Sequence, residues 1–483
     1  MKKRFIFITA RRKELRGGNM KKRRLMLCSI ISLIMVFVMA VPMTVSADTV
    51  TVREASDLAT LTQAITDAKA GDTIKLKAPI TASITIPADK NITLDLNGQT
   101  LTNEAGNHTI TNEGTLTIKG DGTVDNVSHA RGALVNKGTA TINGGTFTRS
   151  QEKGTAEGAN GNSWYVIDNQ GTLTVTGGTV KNTSGFSSLV RNLNGTLNVN
   201  GGNFSNEFIA LKNDDNGIMK ITAGTIESKE QAVQNWHNLD VTGGTFNGDV
   251  ITWSYGNSQG TTTIGESAVI DGNVVAVQYD RNTAAQSTVS INGGTIKGTI
   301  EKGEYVENTG IKPVGPSAET SNITVSGGTF AKKPESAFIA QGRIAIEYVQ
   351  GDNDGKYYVG TNDEIQTIVD NAKSGDTIDV IHGNAFLILT KPGVTIGNNI
   401  GNNGGEVFVN RQELKSGTTT IIKEVDPTKP SQDQTQKPSD TAKADKSAKT
   451  GDDFNLFAVG GVALAAIIAM AAVAITGRRH RQR

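Results

Sequence analysis

The chain has 483 residues, a formal net charge of +1, one cysteine and 5% aromatic residues. The near-zero charge hides an uneven split. The first 47 residues hold 11 Lys/Arg and one acid, and the last 33 hold four Arg and two Asp, which leaves 33 basic and 44 acidic residues for positions 48–450. An acidic middle of this kind does not favour nucleic acid or anionic lipid as partners. A single cysteine excludes a disulfide framework, so stability has to come from burial.

Met20 opens "MKKRRLMLCSIISLIMVFVMAVPMTVSA", with a basic start (Lys21, Lys22, Arg23, Arg24), an apolar run, and small residues Val45 and Ala47 at a cleavage position. Residues 1–47 are therefore predicted to be a secretory signal peptide, with Met1 and Met20 as alternative starts. Cys28 lies inside the apolar run after Leu27, which argues against a lipid-attachment site.

Residues 48–70 read as a capping helix: Ser56 is its expected N-cap, and Leu58, Leu61, Ile65 and Ala68 share one face before Gly71. From 71 to 350 the chain repeats itself. "LTIKGDGTV", "ATINGGTF", "LTVTGGTV", "LNVNGGNF", "MKITAGTI", "LDVTGGTF", "VSINGGTI" and "ITVSGGTF" align on a doubled glycine or its equivalent. The anchors fall at 121, 144, 177, 201, 223, 243, 271, 293 and 327, mostly 20 to 28 residues apart, with two longer steps of 33 and 34. A fixed period of this size means stacked units, none of which buries its apolar face alone.

Within a unit the apolar period is two: Leu173 and Val175 point one way, Thr174 and Thr176 the other. The glycines then mark a corner between strands, where a positive φ or a crowded backbone excludes a Cβ. A further short strand precedes each pair. "TITN", "ALVN", "VIDN", "LVRN", "ALKN" and "AVQN" end in Asn112, Asn136, Asn169, Asn192, Asn213 and Asn235. Each asparagine follows an apolar residue two positions earlier (Ile110, Leu134, Ile167, Val190, Leu211, Val233), so both are expected to face inward. Buried amides need partners, and stacked asparagines supply them to one another.

Three short strands per coil, a glycine corner and an asparagine ladder resemble the right-handed parallel β-helix of the pectin-lyase-like superfamily. The resemblance implies an all-β rod with short helical caps. A second cap is expected in 351–423, where "TNDEIQTIVDNAKSGDTIDV" offers Thr361 and Glu364 as a capping box. Both helical segments run into Gly-Asp-Thr-Ile, as though the cap were duplicated ahead of a short second β-helical module. Residues 424–450 lack aromatics and are rich in Pro, Lys, Asp, Ser and Thr, the composition of an extended spacer.

Residues 451–483 hold a 20-residue apolar run, Leu456 to Ile475, long enough to span a bilayer, followed by the basic tail "TGRRHRQR". With "SAKTG" before it, this end resembles the cell-wall sorting signal of Gram-positive surface proteins. The match is partial, because Ser447-Ala448-Lys449 stands where the usual pentapeptide begins Leu-Pro. The resemblance implies that a sortase cleaves between Thr450 and Gly451 and joins the chain to peptidoglycan at the cell surface. A retained single-pass membrane anchor is the alternative.

Relatives of this fold include polysaccharide lyases with calcium-binding Asp clusters and an Arg base, and hydrolases with paired Asp residues and a Gly-His-Gly segment. Asp214, Asp215, Asp280 and Arg281 are the candidates for such chemistry here, yet "NDDNG" and "YDRN" are also ordinary turn compositions. His108, His129, His237 and His382 lack the Gly-His-Gly context. No cofactor is expected, and calcium enters only under the lyase alternative. The scarce aromatics cluster instead: Trp164, Tyr165, Trp236, Trp253, Tyr255 and Tyr279 fall at or near the ladder strands. The parity of Ile251 and Trp253 points Trp253 inward as a plug of the ladder. Trp236, Tyr255 and Tyr279 are expected outside as a ligand-binding strip. The sequence thus points to a surface protein for adhesion or binding of a host or environmental glycan or surface protein, with a polysaccharide-cleaving enzyme and a passive stalk as alternatives.

Overall fold

The computed structural model describes residues 50–422 except 129, 151–163, 183–186, 280–284, 308 and 402–403. The predicted signal peptide, spacer and anchor, with Thr450 and Gly451, lie outside these residues, as do Asp280 and Arg281. Among the described residues no helix is long and apolar enough to cross a membrane.

The repeat folds into a parallel β-solenoid built from three stacks of strands. One stack carries the asparagines: Ile110–Asn112 pairs with Leu134–Asn136, which pairs in turn with Ile167–Asn169, and so on to Ile300–Val306. A second stack begins at Val52–Ala55 and Thr73–Leu76 and passes through the Leu-Thr-Val segments. The third follows each glycine corner.

Parity fills the interior. Leu173 and Val175, or Leu197 and Val199, come from the second stack, and the third stack contributes one large residue per coil: Phe147, Val180, Phe204, Ile226, Phe246. All are buried, in a core that runs unbroken from Ala55 to beyond Phe330. The doubled glycine serves two needs at once. A Cβ on Gly201 would overlap the carbonyl oxygen of Thr176 one coil below, while Gly202 turns the corner at φ 87°.

The first cap helix, Leu58–Asp67, buries Leu61, Ala64 and Ile65, followed by Ala68, over the open end of the core. Its N-cap is Asp57 and not Ser56. The Asp57 carboxylate accepts the Thr60 N–H at 2.8 Å, and the Thr60 hydroxyl accepts from the Asp57 N–H at 3.1 Å. That start leaves Leu58 49% exposed, outside the buried stripe it was expected to join.

After Phe330 a three-residue 3-10 turn brings Phe338 over the other end of the core. Tyr357–Gly360 then continues the third stack in antiparallel sense and joins a second module with its own core around Ile346, Ile365, Val380 and Ile396. Its helix, Asn362–Asn371, starts with a capping box between Thr361 and Glu364. The two caps share more than sequence. Asp72 and Asp376 each accept the backbone N–H of a lysine three residues earlier, Lys69 and Lys373. Lys90 and Lys391 each place their ammonium on the last carbonyls of the cap helix.

Candidate functional site

The six asparagines are fully buried and joined head to tail. Each Nδ2 donates to the Oδ1 of the next rung, from Asn112 to Asn136, Asn169, Asn192, Asn213 and Asn235, at 2.7–2.8 Å. The first five also donate to the carbonyl of a following glycine, such as Gly171 or Gly195, closing the turn, and Asn235 donates to that of His237. Ile86 stands in register below Asn112, so the Oδ1 of that first rung has no partner. At the other end Asn235 donates to the hydroxyl of Thr262, itself 2.6 Å from that of Thr252.

That ending overturns the placing of Trp253 inside the ladder. Opposite Ala232 the pairing slips by one residue, so Asn235 stands in register with Thr252. Val250 and Thr252 take the inward positions, and Ile251 and Trp253 are turned out. The run Val250-Ile251-Thr252-Trp253 offers two apolar parities, and only the slip chooses between them.

Outside the ladder turn the outward Trp253 becomes the base of an aromatic ledge. Trp236 stacks on it with ring centroids 5.0 Å apart and planes 17° from parallel. Tyr255, Tyr279 and Tyr305 hold one position on three successive coils, by extension of the register that pairs Trp253 with Val277 and Gln278 with Glu304. Tyr279 meets Tyr255 edge to face at 5.1 Å and Tyr305 face to face at 4.5 Å. Tyr255 is 53% exposed and Tyr279 37%, whereas Trp253 is 4% exposed beneath them. Trp236 points outward but is half-buried by its stack, and its ring N–H donates to Gln234 Oε1 at 3.0 Å. Ile251, Val275 and Val277 complete an apolar patch under the rings. The hairpin of Ile300–Val306 and Gly310–Val314 leans over it through Tyr305 and Ile311.

One coil below Trp236, the same outward column holds Asp214. Burial pushes its carboxyl above the usual range, opposed by Lys212 at 3.1 Å. Asp215 beside it sits in a left-handed turn at φ 46° and is exposed. Further down, Asp168 is buried and grips Arg191 with two hydrogen bonds of 2.8 and 2.9 Å. The Arg191 guanidinium lies 4.4 Å from the Tyr165 ring centre, and Trp164 packs between Tyr165 and His108. Fully buried Arg149 donates to the Trp164 carbonyl, so this lower group is knitted into the fold. The ledge is the part left open. Among the described residues no three His, Cys, Asp or Glu side chains converge on a metal position.

Tyr305 is the ledge residue that sequence reasoning missed. It lies beyond the last asparagine strand, and only the pairing of Val274–Gln278 with Ile300–Val306 brings it into line. A comparison with protein-family models, curated proteins and solved structures finds no match to the chain.

Proposed function

We propose that the chain is a surface protein that binds polysaccharide through the ledge of Trp236, Tyr255, Tyr279 and Tyr305. The observation that carries this reading is the tyrosine column: Tyr255 and Tyr279 are each over a third exposed, and Tyr279 rests on the buried Trp253 while Tyr255 rests on Tyr279. Sugar rings present C–H faces that dock on aromatic faces, with a few polar groups fixing their orientation. Exposed aromatics on an acidic, aromatic-poor surface contribute little to folding, and a ligand gives them a use. The signal-type N-terminus and the sorting-type C-terminus support display at the cell surface, with sortase and peptidoglycan as partners and Thr450 as the new C-terminus.

The enzymatic alternative would centre on Asp214. A glycosidase needs two carboxyl groups placed across the scissile bond, and Asp214 has Lys212 as its partner instead. The test is to incubate the full chain with a panel of polysaccharides, with and without calcium, scoring retention and chain cleavage. Retention that Tyr279→Ala weakens supports binding at the ledge. Cleavage would replace the binding reading with an enzyme, and neither outcome would leave a stalk.

A further inference from the structure

The corner between the third stack and the ladder strands holds a second feature. The register aligns Asn182, Asn206, Ser228, Gly248 and Gly272 along it. Where side chains give way to glycine the surface steps inward, and a groove of about 810 Å³ opens between the segments 205–209 and 227–231 and Ile311 of the hairpin. Its walls carry five carboxylates (Glu207, Glu227, Glu230, Asp249 and Asp271) against one lysine, Lys229. Lys229 is taken by Glu207 at 2.6 Å, and Lys297 reaches Asp271 at 2.7 Å. Glu227, Glu230 and Asp249 have no ion-pair partner among the described residues.

A row of acids alone is a solvated surface. Two further observations set this one apart. Asn206, on the groove wall and 5% exposed, donates through Nδ2 to the carbonyls of Ser187 and Ile209, while its Oδ1 is buried without a partner. A buried acceptor left open is costly unless something supplies a donor. The groove also shares Ile251 and Ile311 with the apolar patch beneath the aromatic rings, so groove and ledge are contiguous.

We infer that the groove extends the ledge into one site and that its ligand is a polysaccharide bearing free amino groups, of the glucosamine-polymer class. This rests on the glycan reading of the ledge. Ammonium groups are the counter-charge that Glu227, Glu230 and Asp249 lack, and ammonium or hydroxyl donors suit the Asn206 acceptor, while the sugar rings themselves suit the tyrosines. The same charge disfavours polyuronates, whose carboxylates would meet like charge. In keeping with uncompensated negative charge, the Glu301 carboxyl is raised by burial and by the nearby Asp249.

The experiment measures retention of the full chain on a polymer of glucosamine and on its N-acetylated counterpart, at low and raised salt. The wild type is compared with the triple variant Glu227→Gln, Glu230→Gln, Asp249→Asn and with Tyr255→Ala. The wild type should hold the free-amine polymer about tenfold more tightly, with the difference erased by salt. The triple variant should lose that preference and keep the acetylated polymer, whereas Tyr255→Ala should weaken both. The salt dependence of the wild type is informative without any variant. Equal retention of both polymers, or a triple variant that keeps the preference, overturns the groove and leaves the ledge standing. Oligolysine held as tightly as the amino polymer would also overturn it, in favour of a site for basic peptide. If neither polymer is retained the groove inference fails, and the wider panel decides the ledge.

Discussion

Tyr279 lies parallel to Tyr305, with 4.5 Å between ring centres and 7° between planes. No loop design is needed for this. Parallel pairing of adjacent coils repeats any outward position at the strand spacing of about 4.8 Å, so tyrosines in register are brought into ring contact, face to face here and edge to face between Tyr255 and Tyr279. A solenoid in this way turns one aromatic per coil into a continuous face.

The ledge divides into a half that packs and a half that is free, and the two should separate on mutation. Trp236 covers Trp253 at 5.0 Å. Trp236→Ala should therefore lower stability by about 1–3 kcal/mol, less than for a fully buried tryptophan. Tyr255 touches Tyr279 alone among the rings and is 53% exposed. Tyr255→Ala should leave the melting temperature within about a degree of wild type and weaken glycan retention. Thermal melts run beside retention assays decide it: if Tyr255→Ala destabilises and retention is unchanged, the ledge is packing.

The solenoid was legible in the sequence because its signals recur. Inward pairs such as Leu197 and Val199 and six asparagines spaced one coil apart leave little freedom in register. What was not legible depended on single-residue slips. The irregularity opposite Ala232 moved Trp253 from the inside of the rod to the outside. The corner column of Asn182, Asn206, Ser228, Gly248 and Gly272 was likewise hidden, because its members change chemistry from coil to coil. No periodic residue type marks it. Tyr305 was missed for a related reason, since its strand ends in no asparagine and bears Lys302 at the ladder position.

Acid should loosen the lower part of the ladder face. His108 Nδ1 accepts the Gly132 N–H at 2.9 Å, and its ring lies 5.7 Å from Trp164. Burial, helped by Arg131, holds this imidazole below its ordinary value of 6.5. The folded state thus favours the neutral ring, while the unfolded chain takes up its proton near 6.5. The contribution is complete above that pH and is lost as pH falls through the lower folded value. His382, also depressed by burial, adds in the same direction. Melts across pH 5 to 8 should show stability declining on the acid side, and His108→Asn, which keeps an acceptor, should flatten part of the slope. An unchanged slope in that variant would remove His108 from the account.

The ladder should fail as a chain. Asn192 accepts from Asn169 and donates to Asn213, Gly195 and Ile218, all within 3.1 Å. Asn192→Leu fits no amide network and leaves the buried Oδ1 of Asn213 without a donor. The expected loss is about 1–3 kcal/mol or more, with coupling to neighbouring rungs. A double-mutant cycle with Asn213→Leu should therefore be strongly non-additive. Additive losses would mean that the rungs act separately.

The second cap helix seals a strand edge with two side-chain amides. Asn362 donates to the Phe386 carbonyl at 3.0 Å and accepts its N–H at 2.8 Å, and Gln366 does the same for Ile388 at 2.8 Å both ways. The match is geometric. Helix positions four apart lie about 6 Å from each other on one face, close to the roughly 6.7 Å between alternate residues of a strand. A primary amide also offers the same donor and acceptor as a peptide group, so the helix presents a short imitation of a neighbouring strand. What it protects is hazardous, because Phe386 is 57% and Ile388 60% exposed beside that edge. Unpaired backbone next to apolar side chains is a template for pairing between chains. The double variant Asn362→Ala, Gln366→Ala should lose about 1–2 kcal/mol and, more tellingly, associate in a concentration-dependent way by light scattering. Phe386→Lys added to that pair should restore solubility without restoring the lost stability. A double variant that stays monomeric at every concentration tested would show that the edge needs no seal.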